Sequence, residues 1–466
     1  MNRPRLAFAA LAAWIASGCA AIDPYNMIGR QSAGGLAAPV SPVPGPVAAA
    51  LTAEERARAF DFVWTTIRDR YYDEKLNGVD WRAAGERFRP EAMAAADDEA
   101  FWDALDRMTG ELRDAHTRVE SPRRVELRRR DEAVSLGITF RPMEGRLVLT
   151  GVHADADAWY AGARPGMAIV AIDGEPALAA YAKLLEATRR DSTERSRHLR
   201  AVRRLTAGEA GTAAVLAFER ADGTRFEATL KRRRIATAAS EHHRVLPSGF
   251  GYLRFTQWTY GMRSRVEGAL KELKDTPGLV IDLRGNPGGS LDAVNGVLSA
   301  FFTGKTAIGR SLTRTGKPVS VLFGAVELIK LQQEVKGDKE AYTAPVAVLV
   351  NAASGSGSEF FSAAMQAVGR ATIVGEPSCG CLLGFLGYAA VPGGAELAYS
   401  EVGFEMANGK RIEGEGVVPD RPVPLSVADL QAGRDRALEE AESVLRAAAA
   451  AAKDAGAAKS AHAVAR

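Results

Sequence analysis

Helical periodicity of apolar side chains begins shortly after residue 50. Four large apolar residues recur there at helical spacing and predict one buried helix face: Phe60, Val63, Trp64 and Ile67. Thr52 precedes them with Glu55 three residues later, a Ser/Thr-x-x-Glu signal that predicts the start of the helix. A second helical pattern covers about residues 97–112. Together these patterns predict a small helical domain over residues 51–121.

Short apolar runs alternate with helical patterns from about residue 251 onward. The runs are GYLRF, GLVIDLRG, APVAVLV and ATIVG, and a helical pattern follows each of the first three. Apolar strands that alternate with helices predict a largely parallel sheet covered on both faces. Residues 235–425 therefore read as an α/β domain. The Ala-, Glu- and Arg-rich segment 426–466 predicts a C-terminal helix that ends in a low-complexity tail.

The region between these parts, residues 122–234, contains short β-type patterns and the sequence AGARPGMAIVAIDG. That sequence resembles the signature of PDZ domains, where it spans a short helix and the following strand. PDZ domains add the C-terminus of a peptide as a strand and hold its carboxylate with backbone N–H groups. The resemblance implies donors at Leu136, Gly137 and Ile138. A β-rich domain that only packs against its neighbours is the alternative.

Composition narrows the class of protein. A chain of 466 residues predicts two or three domains, and 47% hydrophobic with 25% charged residues is ordinary for a globular α/β protein. The net charge of +3 is too small to indicate nucleic-acid binding. The basic run KRRR at residues 231–234 lacks interleaved aromatic residues and reads as a solvated strand end.

The N-terminal residues 1–19 predict an export signal. Arg3 and Arg5 precede an apolar run that is too short for a membrane-spanning helix. The sequence ASGC resembles a bacterial lipoprotein box, which implies lipidation at Cys19 and a membrane-anchored protein of the cell envelope that faces the periplasm. Ala16 stands where that pattern prefers Leu, so cleavage to a soluble periplasmic protein is the alternative. Residues 20–50, rich in Gly, Pro and Ala, predict a flexible linker.

Two strand-to-helix turns in the α/β domain carry small residues suited to anion binding. The first is IDLRGNPGGSLDAV, whose glycines allow backbone N–H groups to face a ligand. The second is LVNAASGSGSEFFSAA, which places serines at a helix N-terminus, where the helix dipole favours negative charge. The alternative is a pair of tight loops in which Ser358, with Glu359 after it, caps the helix.

Three motifs, VIDLRGNPGGS, LVNAASGSGSEFF and IVGEPSCG, occur in this order behind the PDZ-like region. They resemble those of the C-terminal-processing (tail-specific) serine proteases, over about residues 60–424. The resemblance implies an α/β multidomain protein with a crotonase/ClpP-like catalytic core, a PDZ-like domain and an N-terminal helical domain. It also implies Ser356 as the nucleophile, with the N–H groups of Gly288 and Gly357 forming the oxyanion hole.

One branch of this family uses a Ser-Lys dyad, and its lysine position is Cys381 here. A thiol is itself a nucleophile and cannot replace the amine as a base. The segment LRDAHT instead resembles the tricorn-like and chlamydial branch, which uses a Ser-His-Glu triad. That resemblance implies His116 as the base and Glu413 as its carboxylate partner, with Glu415 as a rival. His116 as a structural residue of the first domain is the alternative.

Cys379 and Cys381 are separated by one glycine. Too few thiol or imidazole groups lie nearby in sequence for a zinc site, so we expect neither metal nor cofactor. A catalytic thiol is less well placed than Ser356. A turn at Gly380 would permit a disulfide. We expect a structural pair, reduced or oxidised, beside the active site.

The sequence thus predicts a serine endopeptidase of the cell envelope that acts on protein or peptide substrates. Its partners are a protein substrate and, through the lipid anchor, a membrane. One alternative is a non-catalytic peptide- or lipid-binding envelope protein that keeps the fold. A crotonase-type acyl-group enzyme is less consistent with the PDZ signature, because a small acyl substrate needs no domain that binds C-termini.

Overall fold

The computed structural model describes residues 50–130, 132–236, 238–321 and 325–464. The expected signal at residues 1–19, the lipidation site Cys19 and the linker up to residue 49 lie outside the described residues. The α-helices are α1 Ala53–Arg70, α2 Trp81–Met93, α3 Asp98–Gly110, α4 Pro122–Arg129, α5 Asp157–Tyr160, α6 Ala177–Ala187, α7 Glu194–Leu205, α8 Tyr260–Glu272, α9 Leu291–Ser299, α10 Gly357–Ala367, α11 Val427–Ala432 and α12 Arg436–Val464. A 3-10 helix, Leu76–Gly78, precedes α2. Within the described ranges, none of the helices has both the length and the apolar character that crossing a membrane requires.

The strands alternate with these helices and make the protein a mixed α/β molecule. They are β1 Arg118–Glu120, β2 Glu132–Ser135, β3 Ile138–Met143, β4 Arg146–Val152, β5 Ala168–Ile172, β6 Glu175–Pro176, β7 Ala213–Glu219, β8 Arg225–Lys231, β9 Arg233–Ala236, β10 Glu241–Val245, β11 Gly251–Phe255, β12 Leu279–Asp282, β13 Lys305–Leu312, β14 Val319–Val321, β15 Val326–Ile329, β16 Gln332–Lys336, β17 Val346–Val350, β18 Ala371–Gly375, β19 Leu383–Gly384, β20 Ala389–Ala390, β21 Glu396–Ala398, β22 Val402–Met406 and β23 Arg421–Pro422. The chain divides into two compact units. Of the described residues, the first unit comprises those within 50–125, 309–334 and 383–410, and the second comprises those within 126–308, 335–382 and 411–464.

The first unit is built on helices α1, α2 and α3. The predicted capping box is present, because Thr52 Oγ1 accepts the Glu55 N–H at 3.2 Å and the Glu55 carboxylate accepts the Thr52 N–H at 2.9 Å. The helical pattern over residues 97–112 corresponds to α3, so this prediction is confirmed. The predicted apolar face of α1 is buried at Phe60, Val63 and Ile67 in a core shared with the other two helices.

Two later segments of the chain complete the first unit. Strand β1 pairs antiparallel with β21, which pairs with β20, while β22 pairs with β19 and with the last four residues of β13. Leu397 and Tyr399 are fully buried in the helical core. Residues 309–334 and 383–410, which the sequence placed in the C-terminal domain, therefore pack with the N-terminal helices.

The second unit begins with a β-rich region. Its main sheet has the order β3-β4-β5-β7-β8, and neighbouring strands in this order pair antiparallel. Strand β3 is the terminal strand of this order, and helix α7 lies beside it. Alternate residues of the strands point to one face of the sheet and form the buried core of this region. They include Leu147, Leu149, Leu216 and Phe218.

The second unit continues with the predicted α/β sheet, in the order β10-β11-β12-β17-β18-β23. The pairs from β11 to β23 are parallel, and only β10 is antiparallel to its neighbour. Helix α12 packs through Ala441 and Leu445 against one face, which carries Val280 and Ala347. Helices α8 and α10 also contact the sheet, at β11 and β18. The prediction of a largely parallel sheet is confirmed.

Candidate active site

Ser356 occupies the N-cap position of α10, directly after the loop that leaves β17. Its φ of 48° is positive, a backbone conformation that costs a non-glycine residue about 1–3 kcal/mol and persists only where surrounding contacts hold it. Two acceptors hold the Ser356 N–H: Cys381 O at 3.2 Å and Glu359 Oε2 at 3.0 Å. The side chain of Ser356 is half-buried.

Ser354 and Ser358, the two serines nearest to Ser356, are fully buried. Ser354 Oγ donates to Leu283 O at 2.8 Å, and Ser358 Oγ donates to Asn286 O at 3.0 Å. Ser358 therefore anchors the loop after β12 and does not cap α10, contrary to the alternative considered from the sequence. Of these three serines, Ser356 is the one with exposed surface.

The glycine loop after β12 packs directly against Ser356. Gly288 has a φ of 104°, and a Cβ built on it would lie 2.7 Å from Ser356 Cβ and 2.7 Å from the Gly357 nitrogen. Only glycine permits this close approach of the two loops. The Gly288 N–H, however, donates to Asn286 Oδ1 at 3.0 Å, so it already has an acceptor.

Gly289 and Gly357 present their backbone nitrogens near one another. A Cβ built on Gly357 would lie 3.3 Å from the Gly289 nitrogen, and Gly289 is exposed. Within the described part of the chain, neither N–H donates to a protein acceptor. Two unengaged donors beside a serine at a helix N-terminus are suited to a developing negative charge.

Cys379 and Cys381 form a disulfide, with their Cα atoms 5.3 Å apart. Residues 378–381, here called the disulfide turn, reverse direction at Gly380, whose φ is 74°. The structural pair expected from the sequence is therefore present in its oxidised form. The position of the lysine in the Ser-Lys branch thus holds a disulfide sulfur, which cannot act as a base.

Glu359 is fully buried between Ser356 and the disulfide turn. Its carboxylate accepts four hydrogen bonds: from the Ser356 N–H at 3.0 Å, Ser378 Oγ at 2.5 Å, the Gly380 N–H at 2.6 Å and the Cys381 N–H at 3.0 Å. Burial raises the pKa of Glu359 to about 7, and the four hydrogen bonds oppose that rise. The sequence alone indicates for Glu359 only a part in a helix cap.

The loop that carries Glu413 packs on the disulfide turn, since the Gly414 N–H donates to Gly380 O at 2.9 Å. Glu413 is half-buried, whereas Glu415 is exposed. Arg195 of α7 donates to the backbone oxygen of Glu415 and, at 3.0 Å, to Ser378 O. The second unit therefore gathers Ser356, the glycine loop and the Glu413 loop around the disulfide turn.

His116 belongs to the first unit, in the turn between α3 and β1. The backbone N–H of His116 donates at 2.7 Å to the carboxylate of Asp114, which is fully buried. The other oxygen of Asp114 accepts Ser400 Oγ at 2.6 Å and Thr117 Oγ1 at 2.5 Å. These bonds hold the backbone of the His116 turn in one conformation.

Aromatic and cationic side chains surround His116 within the first unit. The His116 ring lies 6.0 Å from the ring of Phe385, and Arg118 lies 5.5 Å from the same ring. Arg118 also donates to the His116 backbone oxygen at 3.2 Å and to the Tyr388 hydroxyl at 2.6 Å. These contacts belong to one local cluster around the half-buried His116 side chain.

The residues proposed to hold a peptide carboxylate lie at the start of β3. Leu136 is buried, Gly137 has a φ of 74°, and Ile138 is the first residue of the strand. The Gly137 N–H donates to Ser135 Oγ at 2.9 Å, so one of the three expected donors already has a partner.

Glu359, Cys379 and Cys381 come close enough together to resemble a metal-binding group. The two sulfurs are bonded to each other, and the carboxylate oxygens are taken by four donors. A metal ion would need free thiolates and a free carboxylate at this position. The observed arrangement does not offer them.

The chain is similar to known peptidases in its sequence and in its fold. Residues 249–423 match the model of Peptidase family S41, and residues 52–110 match the Tricorn protease C1 domain. Carboxyl-terminal-processing peptidase 3, chloroplastic, from Arabidopsis thaliana is 26% identical over 68% of this chain and 59% of its own length. Tricorn protease homolog 1 from Streptomyces coelicolor is 26% identical over 84% of this chain.

This chain spans 35% of the length of the Streptomyces relative. Among solved structures, mature CPAF complexed with lactacystin aligns with a TM-score of 0.65 over 85% of this chain and 99% of that one, at 15% identity. A likeness at this identity establishes a shared fold and does not by itself transfer an activity.

Proposed function

Because this chain belongs to peptidase family S41 through residues 249–423, we propose that it is a serine endopeptidase whose nucleophile is Ser356. The family predicted from the three sequence motifs is confirmed by this match and by the Tricorn C1 match at residues 52–110. The assignment of the nucleophile rests on the backbone conformation of Ser356 and on the N–H groups beside it. Ser356 is held with a positive φ at the start of α10, beside two backbone N–H groups without protein acceptors.

The reaction begins when Ser356 Oγ attacks the carbonyl carbon of the scissile peptide bond. The Gly357 N–H then stabilises the negative charge that develops on the carbonyl oxygen, and removal of such a donor typically costs about a hundredfold or more in rate. We assign the second donor to Gly289 in place of Gly288, because Asn286 already accepts the Gly288 N–H.

We assign the base to His116 and its carboxylate partner to Glu413. His116 takes the proton of Ser356 and returns it to the leaving amine, and an acyl-enzyme remains. Water, deprotonated by the same imidazole, then hydrolyses the ester and regenerates the serine hydroxyl. The disulfide at Cys381 supports this assignment, because it leaves no amine or thiolate at the position of the lysine in the Ser-Lys branch.

The β-rich region over residues 122–234 is proposed to be a PDZ domain that binds substrate C-termini. The terminal position of β3 and the adjacent α7 support this role, since a peptide can extend the sheet at such an edge. Residues 136–138 would hold the carboxylate, with the Gly137 N–H available only after Ser135 Oγ releases it. The sheet from β10 to β23 is proposed to be a crotonase/ClpP-like core.

A lipid anchor at Cys19 would place the peptidase at the cell envelope, facing the periplasm. The sequence of residues 1–19 motivates this proposal. A disulfide beside the nucleophile is in keeping with an oxidising compartment. The non-catalytic alternative is not favoured by the comparisons, in which processing peptidases recur.

Hydrolysis of an unfolded protein substrate tests the proposed function. Wild type should cleave it, and the variants Ser356→Ala, His116→Ala and Glu413→Gln should lose most of that activity. Ser362→Ala is the matched control, because Ser362 is a buried serine of the same helix whose Oγ donates only to Ser358 O, at 2.8 Å. Undiminished cleavage by Ser356→Ala would refute the assignment of the nucleophile.

A further inference from the structure

We propose that Glu359 is a positioning residue of the peptidase reaction, whose ionised carboxylate holds the backbone of Ser356 against the disulfide turn. This inference rests on the proposed function, because it assumes that Ser356 is the nucleophile. Glu359 has no surface through which it could contact substrate, since it is fully buried. It acts through its hydrogen bonds to Ser356 and to the disulfide turn.

The hydrogen bonds divide between the two carboxylate oxygens of Glu359. Oε2 accepts the N–H groups of Ser356 and Cys381, both at 3.0 Å. Oε1 accepts Ser378 Oγ at 2.5 Å and the Gly380 N–H at 2.6 Å. The nucleophile and three residues of the disulfide turn thus share one acceptor group.

This arrangement requires the ionised form of Glu359. A carboxylate is an acceptor only and has room for four donors, whereas a carboxylic acid must donate its own proton. Protonation would therefore place a hydrogen on one carboxylate oxygen, where it points at one of the four donors. That donor then loses Glu359 as its acceptor. An unpaired buried donor is costly, so the turn or Ser356 would move.

Ser356 is sensitive to such a movement because its backbone is strained. Its positive φ persists only while its neighbours hold it. The Glu359 carboxylate and Cys381 O are the two acceptors of the Ser356 N–H, and Glu359 also binds the Cys381 N–H. Loss of the Glu359 contact therefore weakens both supports of the nucleophile.

Three sets of titratable groups lie near Glu359: the guanidinium of Arg195, the carboxyl groups of the Glu413 loop and the two cysteines of the disulfide turn. The Arg195 guanidinium on α7 favours the ionised carboxylate. Glu413 and Glu415 lie on the loop that packs against the disulfide turn. Cys379 and Cys381 are disulfide-bonded and do not titrate.

Titration of Glu359 falls within the working range of an enzyme, because burial raises its pKa to about 7. Above that pH the carboxylate is ionised and all four hydrogen bonds are made, and below it at least one of them is lost. The proposed base His116 must also lose a proton before it can accept one from Ser356. Both groups therefore make activity fall as the pH decreases.

The pH dependence of kcat tests this proposal. When two groups must both be deprotonated, the acid limb of log kcat against pH reaches a slope of about 2, and with one group it reaches about 1. Wild type should show the steeper limb, and Glu359→Gln should show the shallower one. In Glu359→Gln, kcat should fall roughly tenfold to a hundredfold, as expected for a displaced nucleophile, while KM should change little.

The matched control is Glu376→Gln, a partly buried glutamate of the same unit that pairs with Arg141 at 2.8 Å and does not touch Ser356. It should keep the steep acid limb. Ser378→Ala gives a second test should Glu359→Gln fold poorly. It removes one hydrogen bond that lowers the pKa of Glu359, so the acid limb should move to higher pH.

The outcomes separate this proposal from the proposed function. Failure of wild type to cleave protein or to react with a serine-directed phosphonate would refute the function itself. An active wild type with the same acid-limb slope and the same kcat in Glu359→Gln would overturn the positioning role and leave the function standing. An unmoved acid limb in a folded, active Ser378→Ala variant would also overturn it.

Discussion

The backbone N–H groups of Ser356 and Cys381 converge on one oxygen, Glu359 Oε2, each at 3.0 Å. Cys381 stands at the position of the lysine in the Ser-Lys branch, and it contributes to the site through its backbone. The Cys381 carbonyl also accepts the Ser356 N–H, at 3.2 Å. In this protein that position supports the backbone of Ser356, the proposed nucleophile, and it holds a disulfide sulfur where that branch has a lysine amine.

The raised pKa of Glu359 predicts a pH-dependent stability. Below the ordinary pKa of 4.5 the carboxyl is protonated in both the folded and the unfolded chain, so it adds no pH dependence. Between 4.5 and about 7 only the unfolded chain ionises freely, so this group makes the fold less stable as the pH rises. The loss reaches roughly 3 kcal/mol at most.

Urea unfolding at pH 5 and pH 8 measures this effect. The free energy of unfolding of Glu359→Gln should depend less on pH than that of wild type, while Glu376→Gln should keep the wild-type dependence. An equal pH dependence in wild type and Glu359→Gln would show that Glu359 does not titrate in this range.

Gly380→Ala should destabilise the second unit for two reasons. Gly380 has a φ of 74°, and a Cβ on it would lie 2.4 Å from Thr193 Cγ2. We expect the free energy of unfolding to fall by roughly 1–3 kcal/mol, because an alanine at this position takes a positive φ and its Cβ is crowded. Gly433→Ala is the matched control, because Gly433 has a φ of 64° with no atom near the added Cβ.

A double-mutant cycle separates the clash from the backbone effect. Thr193→Ser removes Cγ2 but keeps the hydroxyl that donates to Cys379 O at 2.6 Å. The pair Gly380→Ala and Thr193→Ser should therefore be more stable than the sum of the single changes predicts, by about 0.5–3 kcal/mol. Strict additivity in urea unfolding would contradict the packing of α7 on the disulfide turn.

Reduction of the disulfide should lower kcat. A dithiol reductant cleaves the bond between Cys379 and Cys381 to give two thiols and is itself oxidised to a disulfide. The turn that holds Ser356 and Glu359 then loses its closure, and we expect roughly a tenfold loss of kcat from misplacement of the nucleophile. Steady-state hydrolysis before and after reduction measures kcat in the two redox states.

The control for reduction is the double variant Cys379→Ser with Cys381→Ser, which has no disulfide to reduce. Its activity should be low and should not respond to the dithiol. A wild type whose kcat is the same in both redox states would show that the turn keeps its conformation without the bond.

Asp114→Asn should impair catalysis through His116. The Asp114 carboxylate accepts the His116 N–H, Thr117 Oγ1 and Ser400 Oγ. An amide has one acceptor oxygen where the carboxylate has two, so at least one of these groups must reverse its hydrogen bond or lose it, at a cost of up to about 1–3 kcal/mol. We expect kcat to fall severalfold and KM to change by a smaller factor.

Asp103→Asn is the matched control for Asp114→Asn. Asp103 is an exposed aspartate that pairs with Arg124 at 3.2 Å, and such surface pairs contribute about 0–1 kcal/mol. Equal kcat values for Asp114→Asn and Asp103→Asn would contradict the role assigned to the His116 turn.

Local patterns in the sequence predicted much of the fold. Strands β11 and β18 coincide with the apolar runs GYLRF and ATIVG, and α1 begins at the predicted cap Thr52. Each of these features depends on neighbours in sequence. The packing of residues 309–334 and 383–410 with the N-terminal helices depends on contacts far apart in the chain, and no local period indicates it.

The candidate site was predicted less completely, for a similar reason. The motif around Ser356 was recognised from its sequence, but the hydrogen bonds of Glu359 exist only once the disulfide turn folds back onto α10. Likewise, the sequence does not show that Asn286 accepts the Gly288 N–H. This hydrogen bond is the reason why we propose Gly289 as the second oxyanion donor.

Covalent labelling with a serine-directed phosphonate, followed by peptide mapping, tests the assignment of Ser356 as the nucleophile most directly. We predict one adduct on wild type, on Ser356, with Ser354 and Ser358 unmodified because both are fully buried. Ser356→Ala should not be labelled, and Ser362→Ala should be labelled like wild type. An absence of adduct on wild type, or an adduct that persists in Ser356→Ala, would contradict the assignment.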